Sequence, residues 1–230
     1  MTRPDVNTVV LLPGMDGTGE LFARVVRALP PDVQAVVVRY PTDRPLGYAD
    51  LTARVRASLP TDRPYMLLAE SFSGPIGIEL AAQAPEQLKG LMLCCTFARN
   101  PRPVMSALGA MLPAAAPPLA PLGRVLMGRH FDPALQADLA AAMRQLPARV
   151  MQSRMRAVRA VNVTARLRDV LVPTLYLRAK HDWVVPRSAG DLIARLKPDT
   201  EFLELPGPHF LLQTQPFASA KAITRFLREA

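Results

Sequence analysis

Apolar residues fall into short continuous runs that alternate along the chain with longer stretches of helical periodicity. The runs predict six strands, at residues 9–12, 33–39, 65–70, 88–95, 174–179 and 200–205. Continuous rather than alternating apolar residues are typical of strands that are buried on both faces. Helical patterns lie at 19–29, 48–59, 73–84, 187–196 and 216–229. We therefore predict an α/β fold with a doubly wound, mostly parallel sheet of about six strands and helices on both faces.

Residues 98–170, called the helical insertion below, interrupt this alternation because they contain no strand-like run. Asp132 followed by Pro133 indicates a helix start, since it combines an N-cap residue with proline at the first helical position. Pro147 ends that helix, and a second helix is predicted at 148–162. We predict a main domain formed by residues 1–97 and 171–230, with residues 98–170 as a helical lid.

The composition is that of a globular protein, with 230 residues of which 50% are hydrophobic and 20% charged. Cys94 and Cys95 are adjacent, and a bridge between them would be strained, so we predict reduced core cysteines and no metal site. The N-terminus lacks the apolar core of about 7–15 residues that a secretory signal needs. The uncharged stretch 103–123 contains Pro113, Pro117, Pro118 and Pro121, which would break a spanning helix. We expect no transmembrane segment and a cytoplasmic location.

Ser71 follows a buried strand and precedes a helix in the sequence YMLLAESFSGPIGIELA. Small residues flank it, with Ala69 two positions before and Ser73 two positions after. This is the pattern of a nucleophile elbow, a sharp strand-to-helix turn that tolerates only small neighbours and exposes the serine hydroxyl. Ser73 fits this position less well, because Pro75 would then occupy the crowded second position after the nucleophile.

Two polar residues follow the last two predicted strands and complete a candidate triad. Asp182 lies in KHDWVVP and His209 in LPGPHFL, each just beyond a strand. The order serine, aspartate, histidine is that of α/β-hydrolases. In such a triad the imidazole accepts the serine proton, while the carboxylate orients the imidazole and stabilises its charged form. Of the other histidines, His130 lacks a strand context and His181 adjoins Asp182 but would point away from it.

The first predicted strand runs into a glycine-rich loop, LLPGMDGTGELF. The loop lacks the Gly-Lys-Ser/Thr ending of phosphate-binding loops and the third glycine of dinucleotide-binding loops, so we expect no nucleotide or nucleic acid as partner. In a hydrolase this loop supplies one oxyanion donor, and the residue after the nucleophile supplies the other. These donors are predicted to be the backbone N–H groups of Met15 and Phe72.

The segments LLPGMDGTG, AESFSG, AKHDWVVP and GPHFLLQTQP together resemble the α/β-hydrolase superfamily, in the branch of small carboxylesterases with a helical lid. The resemblance covers residues 9–98 and 170–230. It implies a serine carboxylesterase that works through an acyl-enzyme intermediate and needs no cofactor or metal. Proline replaces the histidine common before the oxyanion glycine, which leaves the backbone donor intact. The chain also starts at the third of the usual eight strands, which implies a sheet trimmed to six.

Size and lid placement resemble the pimeloyl-[acyl-carrier protein] methyl ester esterases, which implies a methyl ester linked to a carrier protein as one substrate. Thioesters are attacked by the same groups, so an acyl thioesterase or an acyltransferase remains an alternative. A protein of this fold that binds a ligand without turnover is an alternative of another class.

The net charge of +9 is concentrated in the helical insertion, where eleven arginines and three aspartates give +8. Arg149, Arg156 and Arg159 fall within about 80° of each other on a helix of 3.6 residues per turn. They are candidates for docking an acidic carrier protein or an anionic surface. The alternative is that arginine simply covers a solvated helix face.

Arg154 projects from the middle of an apolar helix face formed by Met151, Val158 and Val161. An isolated buried guanidinium is costly, so its head must find a partner or water. One interpretation is that its stem packs on the insertion while its head reaches water or a carboxylate. The other makes Arg154 a substrate-binding residue that meets a polar or anionic end of the acyl chain.

Overall fold

The computed structural model describes residues 6–103 and 119–229. Within these residues six strands form one parallel sheet in the order β2-β1-β3-β4-β5-β6. The strands are β1 Thr8–Leu12, β2 Gln34–Val37, β3 Tyr65–Glu70, β4 Leu88–Cys94, β5 Thr174–Ala179 and β6 Glu201–Leu205. The predicted α/β sheet of six strands is confirmed.

The central strands are largely apolar because both faces of the sheet are covered. Every residue of β1 and of β3 is buried, whereas the edge strands β2 and β6 are partly exposed. Leu67 packs into a core on one face and Leu68 into a core on the other, as expected for neighbours in a strand. Cys94 and Cys95 are buried and form no disulfide, as predicted.

The helices cover both faces of the sheet. They are α1 Ala23–Ala28, α2 Tyr48–Ser58, α3 Gly74–Ala81, α4 Leu119–Met127, α5 Pro133–Arg144, α6 Ala148–Ala160, α7 Arg187–Leu196, α8 Leu211–Thr214 and α9 Pro216–Glu229. The helix predicted at residues 19–29 is divided into a 3-10 turn at Glu20–Phe22 and the helix α1. The main-chain φ of Gly19 is 75°, which does not fit a helix start inside the predicted range.

Helices α4, α5 and α6 belong to the helical insertion between β4 and β5. The Asp132 carboxylate accepts a hydrogen bond from the Ala134 N–H at 2.9 Å, which confirms the predicted N-cap. Leu135 and Leu139 pack with Leu21 and Phe210, so the insertion rests on loops of the main domain. Whether residues 98–170 act as a lid stays a prediction.

Residues 104–118, which make up most of the stretch 103–123, lie outside the described residues. Among the helices that the structure describes, none is long and apolar enough to span a membrane.

The candidate site lies at the edge of the sheet where the loops that follow several strands meet. In a parallel sheet all strands end at the same edge, and the loops beyond those ends form the usual binding crevice. The loop after β1, the turn after β3 and the loops after β5 and β6 all leave this edge. They carry Met15, Ser71, Asp182 and His209.

Candidate active site

Ser71 sits in the sharp turn between β3 and α3. Its φ is 49°, in the left-handed region that a non-glycine residue rarely adopts. Such strain costs of order 1–3 kcal/mol and is concentrated at functional sites. The turn is possible because its neighbours are small: a Cβ on Gly77 would lie 2.7 Å from the Cβ of Ala69. The Thr96 hydroxyl donates to the Ser71 carbonyl and secures the turn.

Ser71, His209 and Asp182 form one hydrogen-bonded chain, although 138 residues separate the first two. Ser71 Oγ lies 2.9 Å from His209 Nε2. On the other side of the ring, His209 Nδ1 lies 2.8 Å from Asp182 Oδ2. Both the histidine and the aspartate side chains are nearly enclosed, with 5% and 8% of their surfaces exposed. The structure thus brings together the three residues predicted as the triad.

The Asp182 carboxylate is fixed by the turn that follows it. Its Oδ1 accepts hydrogen bonds from the backbone N–H groups of Val184 and Val185, both at 2.8 Å. Because Oδ1 is held by these two donors, Oδ2 is left for His209.

Ser73 is placed where it cannot reach a substrate. It is completely buried, its hydroxyl donates to the carbonyl of Pro13, and it shares a hydrogen bond with the Tyr40 hydroxyl. The elbow therefore presents Ser71 to the site and turns Ser73 into the protein.

Of the two predicted oxyanion donors, Phe72 directly follows Ser71, and the loop that carries Met15 is bonded to the elbow through the Ser73 hydroxyl and the Pro13 carbonyl. Among the described residues, neither the Met15 N–H nor the Phe72 N–H has a hydrogen-bond acceptor, which leaves both available to an oxyanion. Phe72 is held in place because its carbonyl accepts from the Tyr48 hydroxyl at 2.9 Å and its ring stacks on that of Tyr48. Their role as oxyanion donors stays a prediction.

The other two histidines take no part in the hydrogen-bonded chain of Ser71, His209 and Asp182. His130 contacts Gln215 and Arg129, and His181 is exposed. The described residues contain no cluster of three or more histidine, cysteine or carboxylate groups that could hold a metal ion. The chemistry that this arrangement allows is proton transfer and nucleophilic attack by a serine.

Sequence reasoning missed a second buried carboxyl group, that of Glu70 immediately before Ser71. Gln213, in α8, donates its Nε2 to Glu70 Oε1 at 2.8 Å, and the Gly14 N–H also donates to this carboxylate. Burial raises the pKa of Glu70 to about 7, although the Gln213 hydrogen bond lowers it, and the nearby Asp16 carboxylate raises it further. The sequence does contain a signal for this group, because Glu70 is a charged residue at the end of a buried apolar strand.

Gln213 can serve either protonation state of Glu70. Its Oε1 is buried and has no hydrogen-bond partner among the described residues. Rotating the side-chain amide by 180° exchanges Nε2 and Oε1, since the two ends have the same shape. Gln213 then donates to an ionised Glu70 and accepts from a protonated one.

We expect Glu70 to make the protein less stable as the pH rises. The folded protein keeps the Glu70 proton up to about pH 7, whereas an unfolded glutamate loses it near its ordinary value of 4.5. The free energy of unfolding should therefore fall between these two pH values, because the folded state binds the proton more tightly. Glu70→Gln cannot ionise and should be more stable than the wild type above pH 7 by up to about 3 kcal/mol.

Urea denaturation at pH 5 and pH 8 measures this effect. The two proteins should have similar stabilities at pH 5, since Gln213 can accept from the new carboxamide. The exposed Glu86 is the matched control, and Glu86→Gln should keep the wild-type pH dependence. An unchanged pH dependence in Glu70→Gln would contradict the assignment.

Arg154 does not follow the expectation that its head reaches water or a carboxylate. Only 2% of the residue is exposed, and no carboxylate lies within ion-pair distance among the described residues. Its guanidinium instead donates to the backbone carbonyls of Met15, Asp16 and Pro41, at 2.7, 2.7 and 3.0 Å. That expectation is wrong. A substrate-binding role stays a prediction. The observed contacts indicate instead that Arg154 holds the loops after β1 and β2.

The three arginines predicted for docking are exposed on α6. Arg149 donates to the carbonyl of Asp43 at 3.1 Å, so its side chain bridges to the loop after β2. Arg156 and Arg159 lie further along the same helix. The common exposure agrees with the helical geometry of the prediction, while the existence of a partner stays untested.

Comparisons with known proteins agree with this geometry. A model of the alpha/beta hydrolase family matches residues 9–222. The chain is 26% identical to "Putative carbamate hydrolase RutD" of Rhizobium rhizogenes, over 99% of this chain and 95% of that protein.

Two solved structures illustrate the likeness of fold. The enol-lactonase from Burkholderia xenovorans LB400 has a TM-score of 0.82 at 19% identity, with 97% of this chain and 92% of that chain covered. The esterase from Exiguobacterium antarcticum has a TM-score of 0.80 at 12% identity, with coverages of 99% and 94%.

Proposed function

Because the chain belongs to the alpha/beta hydrolase family, we propose that it is a serine hydrolase that cleaves carboxylic esters through an acyl-enzyme intermediate. The observation that carries the proposal is the continuous chain from Ser71 Oγ to His209 and Asp182, with contacts of 2.9 and 2.8 Å. A hydroxyl at hydrogen-bond distance from a carboxylate-bound imidazole is the arrangement that activates serine at neutral pH.

In the acylation half, His209 Nε2 removes the Ser71 proton as Oγ attacks the ester carbonyl carbon. The carbonyl oxygen becomes an oxyanion, which the N–H groups of Met15 and Phe72 stabilise. The tetrahedral intermediate then collapses, and the bond to the alkoxy group breaks. His209 returns the proton to that leaving alcohol, and the acyl group remains on Ser71.

In the deacylation half, water takes the place of the alcohol. His209 removes a proton from this water, whose oxygen attacks the acyl carbon and forms a second tetrahedral intermediate. Collapse releases the carboxylic acid and restores the Ser71 hydroxyl with the proton from His209. The buried Asp182 carboxylate stabilises the imidazolium in both halves.

A fluorophosphonate probe tests the proposed nucleophile. The wild type should react once per chain, and mass spectrometry of the peptides should place the adduct on Ser71. Absence of labelling in an active, folded protein would overturn the serine mechanism, as would activity that disappears with a chelator.

A substrate screen then tests the ester preference. We expect hydrolysis of p-nitrophenyl esters with a preferred acyl length, measured over a graded series. A thioester series and a carbamate belong in the same screen, the latter because the relative from Rhizobium rhizogenes is named a carbamate hydrolase. Turnover of the carbamate alone would replace carboxylesterase by carbamate hydrolase.

We further propose that the natural substrate is an acyl ester on an acidic carrier protein, which docks on the exposed arginines of α6. Reversing the charge at Arg149, Arg156 and Arg159 should lower kcat/KM for a carrier-bound ester at low salt by about tenfold or more. The difference should shrink as salt is added, because salt screens exposed charges. A small neutral ester should react at the wild-type rate.

A control of equal net charge separates docking from a general charge effect. Arg27, Arg56 and Arg195 are exposed and lie outside the helical insertion. Reversal of these three should leave the carrier reaction nearly unchanged. Equal losses on both substrates with the α6 variant would indicate a damaged fold, and equal losses with both triple variants would refute a local docking face.

A further inference from the structure

The loop after β1, residues 13–17, is held by hydrogen bonds to every one of its peptide carbonyls; we call it the oxyanion loop. Three of these hydrogen bonds are donated by groups of the main domain. The Ser73 hydroxyl donates to the Pro13 carbonyl, and the Gly17 N–H donates to the Gly14 carbonyl at 3.1 Å. The Tyr40 N–H donates to the Gly17 carbonyl at 2.7 Å. Both ends of the loop are therefore fixed by the main domain.

The middle of the oxyanion loop is held by a single side chain from the helical insertion. Arg154 Nη1 donates to the carbonyls of Met15 and Asp16, both at 2.7 Å. Arg154 Nη2 donates to the carbonyl of Pro41 at 3.0 Å, in the loop after β2. One guanidinium thus ties the two middle peptides of the oxyanion loop to a second loop.

The contact between Arg154 and the oxyanion loop is close-packed. A Cβ on Gly17 would lie 2.6 Å from Arg154 Nη1, so the loop approaches the guanidinium where it has no side chain. The φ of Gly17 is 68°, which glycine adopts readily. On its other side the guanidinium carbon lies 5.9 Å from the centre of the Tyr40 ring. The head of Arg154 therefore has little room to adopt another position.

Electrostatics make this burial tolerable. Removal from water lowers the pKa of the Arg154 guanidinium, and the charge of Asp16 acts in the opposite direction. Asp16 is itself buried, and its carboxylate accepts from the Thr18 N–H and hydroxyl. A planar guanidinium can reach several carbonyls at once, which a lysine ammonium cannot do with the same geometry.

We propose that Arg154 is a positioning residue that orients the Met15 N–H for the oxyanion, so that the helical insertion takes part in catalysis. The inference rests on the proposed serine hydrolase function. The Met15 N–H lies in the same peptide plane as the Gly14 carbonyl, which accepts from the Gly17 N–H. Arg154 holds the next peptide plane through the Met15 carbonyl, and this contact restricts rotation about the backbone bonds of Met15 that would turn its N–H away.

Steady-state kinetics of Arg154→Met on a p-nitrophenyl ester test the proposal. We expect kcat to fall by about 10- to 100-fold, less than the 10²–10³ typical of a fully removed oxyanion donor. KM should change by less than about threefold, because only the transition state carries the oxyanion. Arg154→Lys should recover little of the lost kcat, although it restores the positive charge.

The inhibition constant of a trifluoromethyl ketone distinguishes a positioning role of Arg154 from a merely structural one. The ketone forms a tetrahedral adduct with Ser71 whose oxyanion occupies the same site. Its inhibition constant should rise in Arg154→Met by about the factor that kcat loses, whereas fluorophosphonate labelling still occurs at Ser71.

Arg166→Met is the matched control. Arg166 also lies in the helical insertion and forms ion pairs with Glu79 and Asp169, so its loss affects stability without touching the oxyanion loop. Thermal melting compares the two variants, and Arg166→Met should keep the wild-type kcat and inhibitor affinity.

Gly17→Ala supplies a second test in case Arg154→Met does not fold. Its new methyl group would lie 2.6 Å from Arg154 Nη1 and displace the guanidinium, and the φ of 68° adds strain in the oxyanion loop itself. It should show the same loss of kcat with little change in KM. A wild-type kcat and inhibitor affinity in whichever of these variants folds would overturn the proposal. Failure of the wild type to label with fluorophosphonate would instead overturn the serine mechanism.

Discussion

Ser71→Ala is expected to lower kcat/KM for ester hydrolysis by about 10⁴-fold or more. Loss of a triad nucleophile removes the covalent route and leaves only the contribution of substrate binding and the oxyanion hole. The fold should persist, because the Ser71 hydroxyl makes its hydrogen bond to His209 alone among the described residues. The rate is measured with a p-nitrophenyl ester, and thermal melting checks the fold.

Ser73→Ala is the matched control, since it removes a serine hydroxyl two residues away. That hydroxyl is buried and supports Pro13 and Tyr40, so its removal should lower stability by about 1–3 kcal/mol. Ser73→Ala should still react with fluorophosphonate. If Ser71→Ala kept most of the activity and Ser73→Ala lost it, the register of the elbow would be wrong.

The strands and the residues that follow them were predictable because local patterns mark both. The apolar run of β3 was predicted with its observed bounds of 65–70, and Ser71 follows it directly. Asp182 and His209 could be located in the same way, after β5 and β6. A parallel sheet then requires that these residues gather at one edge, however far apart they lie in the chain.

The groups that support the site were not predictable, because they depend on contacts between distant segments. Glu70 stands 143 residues from its partner Gln213, and no local pattern connects them. Arg154 was recognised as a charge on an apolar helix face, but its acceptors are backbone carbonyls of Met15 and Asp16. Backbone acceptors leave no signature in the sequence, since every residue has a carbonyl.

Asp182→Asn is expected to lower kcat/KM by about 10³- to 10⁴-fold with little change in the fold. The Val184 and Val185 N–H groups hold Oδ1, so a carboxamide must place its oxygen there to accept from them. Its NH₂ group would then face His209 Nδ1 and force that nitrogen to accept. The ring proton would move to Nε2, which could no longer take the proton of Ser71.

The measurement is the rate of ester hydrolysis, with KM and thermal stability recorded beside it. KM should stay close to that of the wild type, because Asp182 acts through the imidazole and has no contact with the ester. Asp199→Asn is the control, since Asp199 is an exposed aspartate paired with Lys197 at 2.7 Å, and it should retain full activity. If Asp182→Asn kept more than about a tenth of the wild-type rate, the carboxylate would not be setting the tautomer of His209, and the 2.8 Å contact between them would be structural only.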